Sequence, residues 1–438
     1  MRILIVGGGG RECALYSAIK NNPRVTAVAA APGNAGIAAL GAYCYSDVKA
    51  TDISALTKCA ADFKADFVIV APDDPLVLGA VDALDAAGFK CFGPKKDAAI
   101  IEGSKSFSKH LMKKHQIPTA DYREFINTAE ATAYLENADY PIVIKADGLA
   151  LGKGVTIANT FDEAVAAVSD CLDNGKFGFA GKRVVIEEYL SGVEVTVLCL
   201  TDGADFIAFP ASTDHKRAFD NDLGPNTGGM GVIAPAPYYT SEIREETIRN
   251  IITPTLNALR IEGRLFRGCL YFGLMLTGNG VKVVEYNARF GDPEAQTVLP
   301  LLNENVDLIG LFEACRSGIL REFVERNNLR GKLFKNLSSA CVVMASGGYP
   351  DKYQTGLPIT GIDFRPPDRD VFVNYAGVSV KDGKPHTSGG RVLTVTALDK
   401  DLSSALKKAY SEISHINFEG AHFRNDIGYK AIEFLSLK

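Results

Sequence analysis

A hairpin signal in the third quarter of the chain constrains the fold most. Two segments with strand character, 270–276 and 281–287, flank Thr277-Gly278-Asn279-Gly280. Asn-Gly is the dipeptide that tight turns between antiparallel strands prefer, so the two segments are predicted to pair. Side chains alternate along a strand, which places Glu285, Asn287 and Arg289 on one face.

That polar face has two interpretations. Hard cations such as magnesium accept carboxylate and amide oxygens, so Glu285 and Asn287 are predicted metal ligands beside a nucleotide. Arg289 would then meet an anion. The alternative is an amphipathic strand whose polar face is merely solvated. The turn 291–294 follows directly and presents two more carboxylates, Asp292 and Glu294, which favours a binding site.

A second polar segment is interpreted together with this turn. Residues 214–217 read Asp-His-Lys-Arg and lead into the glycine-rich run 224–231. The two segments lie far apart in the chain, and we expect them to form two sides of one site.

Length and composition narrow the class of protein. A chain of 438 residues is too long for one core, which predicts about two to four domains. With 47% hydrophobic and 23% charged residues it is typical of globular proteins, and a net charge of −5 gives no support for nucleic-acid binding. The nine cysteines lack metal-binding spacing, so reduced thiols without structural zinc are predicted. No apolar run approaches a membrane span, and a cytoplasmic location without membrane contact is predicted.

The order of predicted elements indicates three domains. Residues 1–103 are predicted to form a Rossmann-like parallel α/β domain, with strands at 3–6, 25–30 and 67–70 and helices at 52–63 and 76–87. Residues 104–328 are predicted to form a second domain, in which about 120–190 is predicted to be a mobile lid. It begins with a helix capped by Ser104, whose Lys105, Lys109 and Lys113 are expected to point outward. Residues 329–438 are predicted as a small α+β domain with strands at 340–345, 371–375 and 391–397 and a helix at 402–413.

The glycine cluster at 7–10 is not a dinucleotide fingerprint. Cys13 stands where the third small glycine belongs, and no acidic residue follows the second strand. Backbone N–H groups at a helix N-terminus, with Arg11 beside them, suit a phosphate monoester instead. The alternative is a glycine turn that only connects a strand to a helix.

The loop 148–154 resembles a phosphate-binding loop but lacks its spacing and the hydroxyl after Gly-Lys, so it is interpreted as a flexible flap. Lys105, Lys145 and Lys153 surround the predicted strand ends and together suit a polyphosphate. Backbone groups of 187–190 are candidates for an adenine edge, and Glu194 for a ribose diol.

Taken in order, these segments resemble a known family over essentially the full length. The motifs are 9–12, 31–36, 93–94, 103–105, 145–150, 214–217, 224–231, 285–294, 347–350 and 388–392. They are similar to the glycinamide ribonucleotide synthetases, which belong to the ATP-grasp ligases. The resemblance implies an ATP-grasp fold for the central domain. It also implies ATP-dependent joining of glycine to 5-phosphoribosylamine through a glycyl phosphate, with Mg²⁺ or Mn²⁺, in a monomer or weak dimer.

Together with the patterns above, the resemblance implies a set of site residues. They are the catalytic residues Arg289, Asp214 and Lys145; the ATP-binding residues Lys105, Lys145, Lys153, Glu187, Glu188, Tyr189, Leu190, Glu194 and Lys216; the substrate-binding residues Gly9, Gly10, Arg11, Glu12, Asp73, Asp214, Asn226, Arg289, Gly291, Asp292, Pro293 and Glu294; and the metal ligands Glu285 and Asn287.

The chain departs from the family pattern at two places. Cys13 stands where the family has a histidine, and Asp73 ends a turn that in the family ends in glutamate. Both departures concern phosphoribosylamine binding rather than ATP chemistry. Two other functions remain open: another ATP-grasp carboxylate-amine ligase or a carboxylase, and a nucleotide-sensing module without turnover.

Overall fold

The computed structural model describes residues 1–150, 154–362, 364 and 370–437. Its buried apolar residues form three clusters. One joins the N-terminal sheet to the C-terminal sheet, a second joins the other face of the N-terminal sheet to the central sheet, and the third lies within 131–186 alone. No helix in the described part of the chain is long and apolar enough to cross a membrane.

The N-terminal segment is a five-stranded parallel sheet with strand order β3-β2-β1-β4-β5. Its elements are β1 (Arg2–Gly7), α1 (Gly10–Ile19), β2 (Ala27–Pro32), α2 (Ala35–Ala39), β3 (Tyr43–Cys44), α3 (Ile53–Asp62), β4 (Phe67–Val70), α4 (Asp73–Leu78), α5 (Ala80–Ala86) and β5 (Cys91–Phe92). The predicted parallel α/β architecture is confirmed. The predicted single helix at 76–87 is wrong, because Gly79 adopts a left-handed φ of +94° that separates α4 from α5.

Two helices connect this sheet to the next segment, α6 (Lys96–Gly103) and α7 (Lys105–Lys114). Ser104 caps α7 as predicted, since its side chain accepts a hydrogen bond from Phe107 N. The expectation that Lys109 points outward is wrong. Lys109 is 2% exposed, and its ammonium lies 2.9 Å from the Glu187 carboxylate.

The predicted lid is a four-stranded antiparallel sheet, ordered β6-β9-β7-β8, with two helices. Its elements are β6 (Tyr122–Phe125), α8 (Thr128–Leu135), β7 (Ile142–Ala146), β8 (Val155–Ala158), α9 (Phe161–Leu172) and β9 (Val184–Glu188). The third buried cluster, with Ile144 and Val168 among its members, belongs to this segment alone. The lid therefore has a core of its own.

The central sheet has the order β11-β10-β16-β17. The elements from here to the C-terminal segment are β10 (Val193–Thr201), β11 (Phe206–Ala208), β12 (Thr213–Asp214), β13 (Arg217–Phe219), β14 (Leu223–Asn226), β15 (Gly231–Ala234), α10 (Ser241–Thr247), α11 (Thr253–Ile261), β16 (Gly268–Thr277), β17 (Gly280–Asn287), α12 (Glu294–Val298), α13 (Leu308–Ser317) and α14 (Leu320–Arg326). The predicted hairpin is confirmed as the antiparallel pair of β16 and β17.

A β-bulge decides which face of β17 carries polar groups. The register pairs Gly273 with Glu285 but Leu274 with Val283, so Val284 opposes no residue. Without the bulge, strict alternation would put Val283 on the same face as Glu285. With it, Val283 is buried in the core, while Glu285 and Asn287 are both half-buried on the other face.

The C-terminal segment contains β18 (Ser338–Ala345), β19 (Val371–Tyr375), β20 (Val378–Lys381), β21 (Lys384–Thr387), β22 (Arg391–Asp399), α15 (Leu402–Ile413) and α16 (Tyr429–Ser436). The four elements predicted here are present. One sheet, ordered β12-β15-β18-β22-β19, pairs β15 with β18 in antiparallel fashion. This sheet joins strands from both sides of the proposed boundary near residue 329.

Candidate active site

Glu285 stands at the centre of four cationic side chains. Burial alone would raise the pKa of this carboxyl. The charges of Lys216, Lys145, Lys105 and Arg289 outweigh burial and lower its pKa below the usual value. Glu285 is therefore ionised near neutral pH and faces a region rich in positive charge, as a polyphosphate site requires.

Lys145 is fixed by two contacts at the end of β7. Its ammonium lies 3.0 Å from Glu187 Oε1 and donates to the Val284 carbonyl at 3.1 Å. The other carboxylate oxygen of Glu187 meets Lys109. Burial lowers the pKa of Lys109 to about 8, although Glu187 opposes this shift. Glu187 thus binds two lysines inside the protein, and its side chain orients Lys145.

Lys105 meets the start of the flap. Its ammonium donates to the Gly148 carbonyl at 3.0 Å, and burial lowers its pKa. The carboxylate of Asp147 accepts from Ser106 N at 2.7 Å and from Ser104 Oγ at 3.1 Å, which ties the flap to the first turn of α7. Lys153, predicted to bind ATP from this flap, lies outside the described residues.

The predicted nucleotide edge lies where β9 ends. The Glu188 carboxylate accepts from Lys282 Nζ at 2.8 Å, and Tyr189 is 44% exposed. Leu190 follows and is half-buried. On β10, Glu194 forms an ion pair with Lys216.

Lys216 connects this edge to the carboxylate at the centre of the site. Burial lowers its pKa, but Glu194 and Glu285 outweigh burial and raise it well above the usual value. Lys216 therefore stays charged, forms an ion pair with Glu194 and adds to the positive charge that acts on Glu285.

Arg289 anchors the acidic side of the site. Its guanidinium lies 3.1 Å from Glu102 and 3.8 Å from Asp73, and it donates to Asn287 Oδ1 at 3.5 Å. Burial raises the pKa of Glu102 to about 7, against the lowering effect of Arg289. Within the described residues, the buried Arg289 Nε has no hydrogen-bond partner. A buried donor without a partner is costly, so this atom fits a ligand oxygen.

Asp214 presents the complementary acceptor. Burial, and then the charge of Glu294, raise the pKa of Asp214 to about 8. Its Oδ1 is buried and accepts no hydrogen bond from any described residue. A Cβ on Gly229 would lie 2.7 Å from this oxygen, so only glycine lets the backbone approach so closely. An ammonium group would satisfy Asp214 and lower its pKa.

The first glycine loop is closed by its own carboxylate. Glu12 Oε2 accepts from Gly9 N at 2.5 Å, and Glu12 Oε1 lies 2.6 Å from Arg11 Nε. Arg11 is 8% exposed and donates to the Phe290 carbonyl at 3.0 Å, while its backbone N–H lies 3.4 Å from Asp292. The Arg11 side chain therefore points into the protein and joins the loop to the turn after β17.

Gly10, Gly291, Pro293 and Glu294 lie around the turn that follows β17. A Cβ on Gly10 would lie 2.5 Å from Gln296 Nε2, which donates to Asp292 at 2.8 Å. Glu294 begins α12, with Gly291 and Pro293 in the turn before it. Asn226 pairs with Arg217 in the hairpin of β13 and β14 and is half-buried.

Cys13, one of the departures from the family pattern, contacts the C-terminal segment. Its thiol accepts from Tyr375 N at 3.4 Å, and burial raises its pKa to about 12. Cys13 therefore packs between domains.

Sequence reasoning assigned no role to several residues that the structure brings to the site. A signal was present for two of them, because Glu102 precedes the Gly103-Ser104-Lys105 motif and Arg391 lies in the motif 388–392. The others are Lys109, which pairs with Glu187, Gln296, which donates to Asp292, and Tyr271, whose hydroxyl donates to the Glu294 carboxylate.

Family models match this chain over most of its length. The phosphoribosylglycinamide synthetase models match with their N domain at 1–102, their ATP-grasp (A) domain at 103–295 and their C domain at 339–430. The chain belongs to the phosphoribosylglycinamide synthetase family. The predicted membership in the ATP-grasp ligases and the predicted multidomain fold are thereby confirmed.

Curated relatives share the family across the whole chain. The phosphoribosylamine–glycine ligase of Salmonella typhi is 45% identical over 436 residues, which is 99% of both chains. The trifunctional purine biosynthetic protein adenosine-3 of Gallus gallus is 44% identical over 99% of this chain, and the chain spans 43% of that protein's length.

Solved structures agree. The phosphoribosylamine–glycine ligase of Thermotoga maritima has a TM-score of 0.80 at 31% identity, covering 97% of this chain and 100% of that one. The biotin carboxylase domain of the Hydrogenobacter thermophilus 2-oxoglutarate carboxylase, in complex with MgADP and bicarbonate, has a TM-score of 0.72 at 15% identity, covering 96% and 91%. The second likeness shows the fold alone.

Proposed function

We propose that this protein joins glycine to 5-phosphoribosylamine with ATP, giving glycinamide ribonucleotide, ADP and phosphate. Full-length identity of 45% to a phosphoribosylamine–glycine ligase supports the reaction. The observation that carries it is that the buried Arg289 Nε and the buried Asp214 Oδ1 both lack a hydrogen-bond partner among the described residues, while the charge of Glu294 acts on both side chains. An α-amino acid carries the carboxylate and ammonium that these two atoms would bind.

For the nucleotide, Lys105 and Lys145 are proposed to bind the phosphates, with Lys216 held nearby by Glu194. Their burial makes each charge act through a low dielectric. The ends of β9 and β10, at Tyr189 and Leu190, are proposed to meet the adenine.

The donor set suits magnesium or manganese. Glu285 is ionised and Asn287 offers an amide oxygen on the same strand, and hard divalent ions accept such oxygens together with phosphate and water. The described residues contain no group of three or more histidine, cysteine, aspartate or glutamate side chains arranged for a metal. Glu285 and Asn287 would form a two-residue metal ledge, and phosphate and water oxygens would complete the coordination. A bound divalent ion would offset the negative charge that develops on the phosphates.

Two displacements give the product. A carboxylate oxygen of glycine, oriented by Arg289, attacks the γ-phosphorus, and the bond from that phosphorus to ADP breaks. The amine nitrogen of phosphoribosylamine then attacks the carbonyl carbon of glycyl phosphate, loses a proton, and phosphate leaves. The chain contributes positioning and electrostatic stabilisation. Asp214 would hold the glycine ammonium, and the lid is proposed to exclude water from the acyl phosphate.

The phosphoribosylamine is proposed to bind between the first glycine loop and the turn after β17. Gly9, Gly10 and Glu12 form one side, and Asp73 and Asp292 the other. The carboxylates there suit ribosyl hydroxyls and an amine, whereas the N-terminus of α1 suits the phosphate.

An ADP-release assay tests the proposal. The purified protein is given ATP and Mg²⁺, and glycine and phosphoribosylamine are omitted in turn. We expect full ADP release only when both are present. Release that continues when bicarbonate or formate replaces glycine would support a carboxylase or formate ligase instead. ATP binding without turnover under every condition would support a nucleotide-sensing module.

A further inference from the structure

Two glycine motifs of the C-terminal segment, 347–350 and 388–392, meet each other beside the site. Ser346 N donates to the Gly390 carbonyl at 2.7 Å, and Ser346 Oγ donates to the Gly389 carbonyl at 2.9 Å. A Cβ on Gly390 would lie 2.4 Å from Cδ2 of the Tyr349 ring. Glycine at 390 therefore lets the Tyr349 ring pack against the backbone just before Arg391.

Tyr349 and Arg391 together hold both backbone groups of Gly228. The Gly228 N–H donates to the Tyr349 hydroxyl at 3.1 Å, and Arg391 Nη1 donates to the Gly228 carbonyl at 2.6 Å. The same Nη1 donates to the Asp292 carbonyl at 2.6 Å, and Nη2 lies 3.5 Å from the Asp292 carboxylate. One guanidinium thus joins the glycine-rich run to the acidic turn.

The segments it joins carry the substrate contacts. Gly229 has a φ of +107° and lies against both Asp214 Oδ1 and Pro293 Cδ. Asp292 holds Gln296 and lies near the amide of Arg11. A shift of the Gly228 peptide would move Gly229, which packs against Asp214. A shift of Asp292 would move the first glycine loop through the Arg11 amide.

We propose that Arg391 and Tyr349 are positioning residues, which set the distance between Asp214 and the turn 291–294 for glycine and phosphoribosylamine. This inference depends on the proposed function. A purely structural contact between domains is the alternative. The sheet already joins these segments through four residue pairs between β15 and β18, so the domains do not need Arg391 to stay together.

The test measures KM for each substrate, kcat and the melting temperature. The variants are Arg391→Met, Arg391→Lys and Tyr349→Phe. The matched control is Lys408→Met. Like Arg391, Lys408 contacts both a backbone carbonyl and a carboxylate: its ammonium donates to the Leu398 carbonyl at 3.1 Å and lies 2.9 Å from the Asp399 carboxylate.

Arg391→Met is expected to raise the KM for glycine or phosphoribosylamine about tenfold or more, with the ATP KM within about twofold of the wild-type value. Arg391→Lys should recover part of the loss, because one ammonium can replace some of the contacts of the guanidinium. Tyr349→Phe removes a single hydrogen bond and should give a smaller effect in the same direction. Lys408→Met should leave all three KM values unchanged.

Unchanged glycine and phosphoribosylamine KM values in Arg391→Met would overturn the inference. Equal rises in all three KM values with a large drop in melting temperature would overturn it too, because they indicate general loosening. If Arg391→Met fails to fold, Tyr349→Phe decides by the same criteria. A wild-type protein without glycine-dependent ADP release would instead refute the proposed function.

Discussion

Replacing Glu285 with glutamine should slow the reaction far more than it weakens ATP binding. The change keeps the shape of the side chain and removes one negative charge from among buried cations. That charge is proposed to hold the divalent ion, and the ion's stabilising effect is greatest while the γ-phosphoryl group is being transferred. The loss should therefore fall on kcat.

The magnitude follows from comparable electrostatic contacts. Removing one preorganised group from a buried site costs roughly 10²–10³ in kcat, or about 2.7–4 kcal/mol. Because the pKa of Glu285 is lowered, its ionised form also stabilises the fold at pH values above its ordinary pKa of 4.5. Glu285→Gln should accordingly lower the free energy of unfolding at pH 7. The difference from wild type should shrink as the pH falls through the lowered pKa.

The assay is coupled ADP release over a Mg²⁺ titration, with urea unfolding at pH 7 and at low pH. Glu246→Gln is the matched control, because Glu246 Oε1 accepts from Val281 N at 3.0 Å on the same strand and a glutamine oxygen can do the same. Turnover of Glu285→Gln near the wild-type value at saturating Mg²⁺ would refute the metal-ledge reasoning. So would an equal loss in Glu246→Gln.

Three further predictions concern buried groups. Lys109→Met leaves Glu187 short of one cation and should lower the free energy of unfolding by about 3 kcal/mol, whereas the exposed Lys113→Met should change it by less than about 0.5 kcal/mol in a urea titration. Asp214 has a pKa raised to about 8, so the wild-type KM for glycine should fall as the pH rises toward 8, and Asp214→Asn should raise this KM and remove the trend. Burial lowers the pKa of His215 to about 4, and its neutral ring accepts a hydrogen bond from the Gly428 N–H. The contribution of His215 to the free energy of unfolding should therefore be lost as the pH falls from about 6.5 to 4. Acid titrations of the wild type and of His215→Gln measure this loss.

Local rules predicted the elements of this fold well. Asn279-Gly280 identified the hairpin and Ser104 identified a helix start. The C-terminal strands followed from apolar runs bounded by turns, although β18 begins before and β22 ends after the predicted residues. The failures came from tertiary contacts. Lys109 looks solvated on a helix pattern, and only the approach of Glu187 from β9 explains its burial.

The bulge at Val284 could not be predicted either. Period-two alternation predicts that Glu285 and Asn287 share a face, but the same alternation, extended one step back, would include Val283, which the bulge excludes. A bulge changes the face of a strand without a sequence signal of its own here. The inward direction of Arg11 was similarly hidden, because its partners are Glu12 beside it and the Phe290 carbonyl far along the chain.

The balance of charge around the turn 291–294 gives the acidic site its chemical meaning. Asp73 and Asp292 face arginines, and although burial opposes them these cations lower both pKa values. Glu102 and Asp214 have raised pKa values of about 7 and 8 because burial outweighs the cations that reach them. Burial also raises the pKa of Glu294, whose charge in turn raises the pKa of Asp214. Burial therefore disfavours the ionised form of Asp214, and a substrate ammonium group placed beside it would stabilise that form.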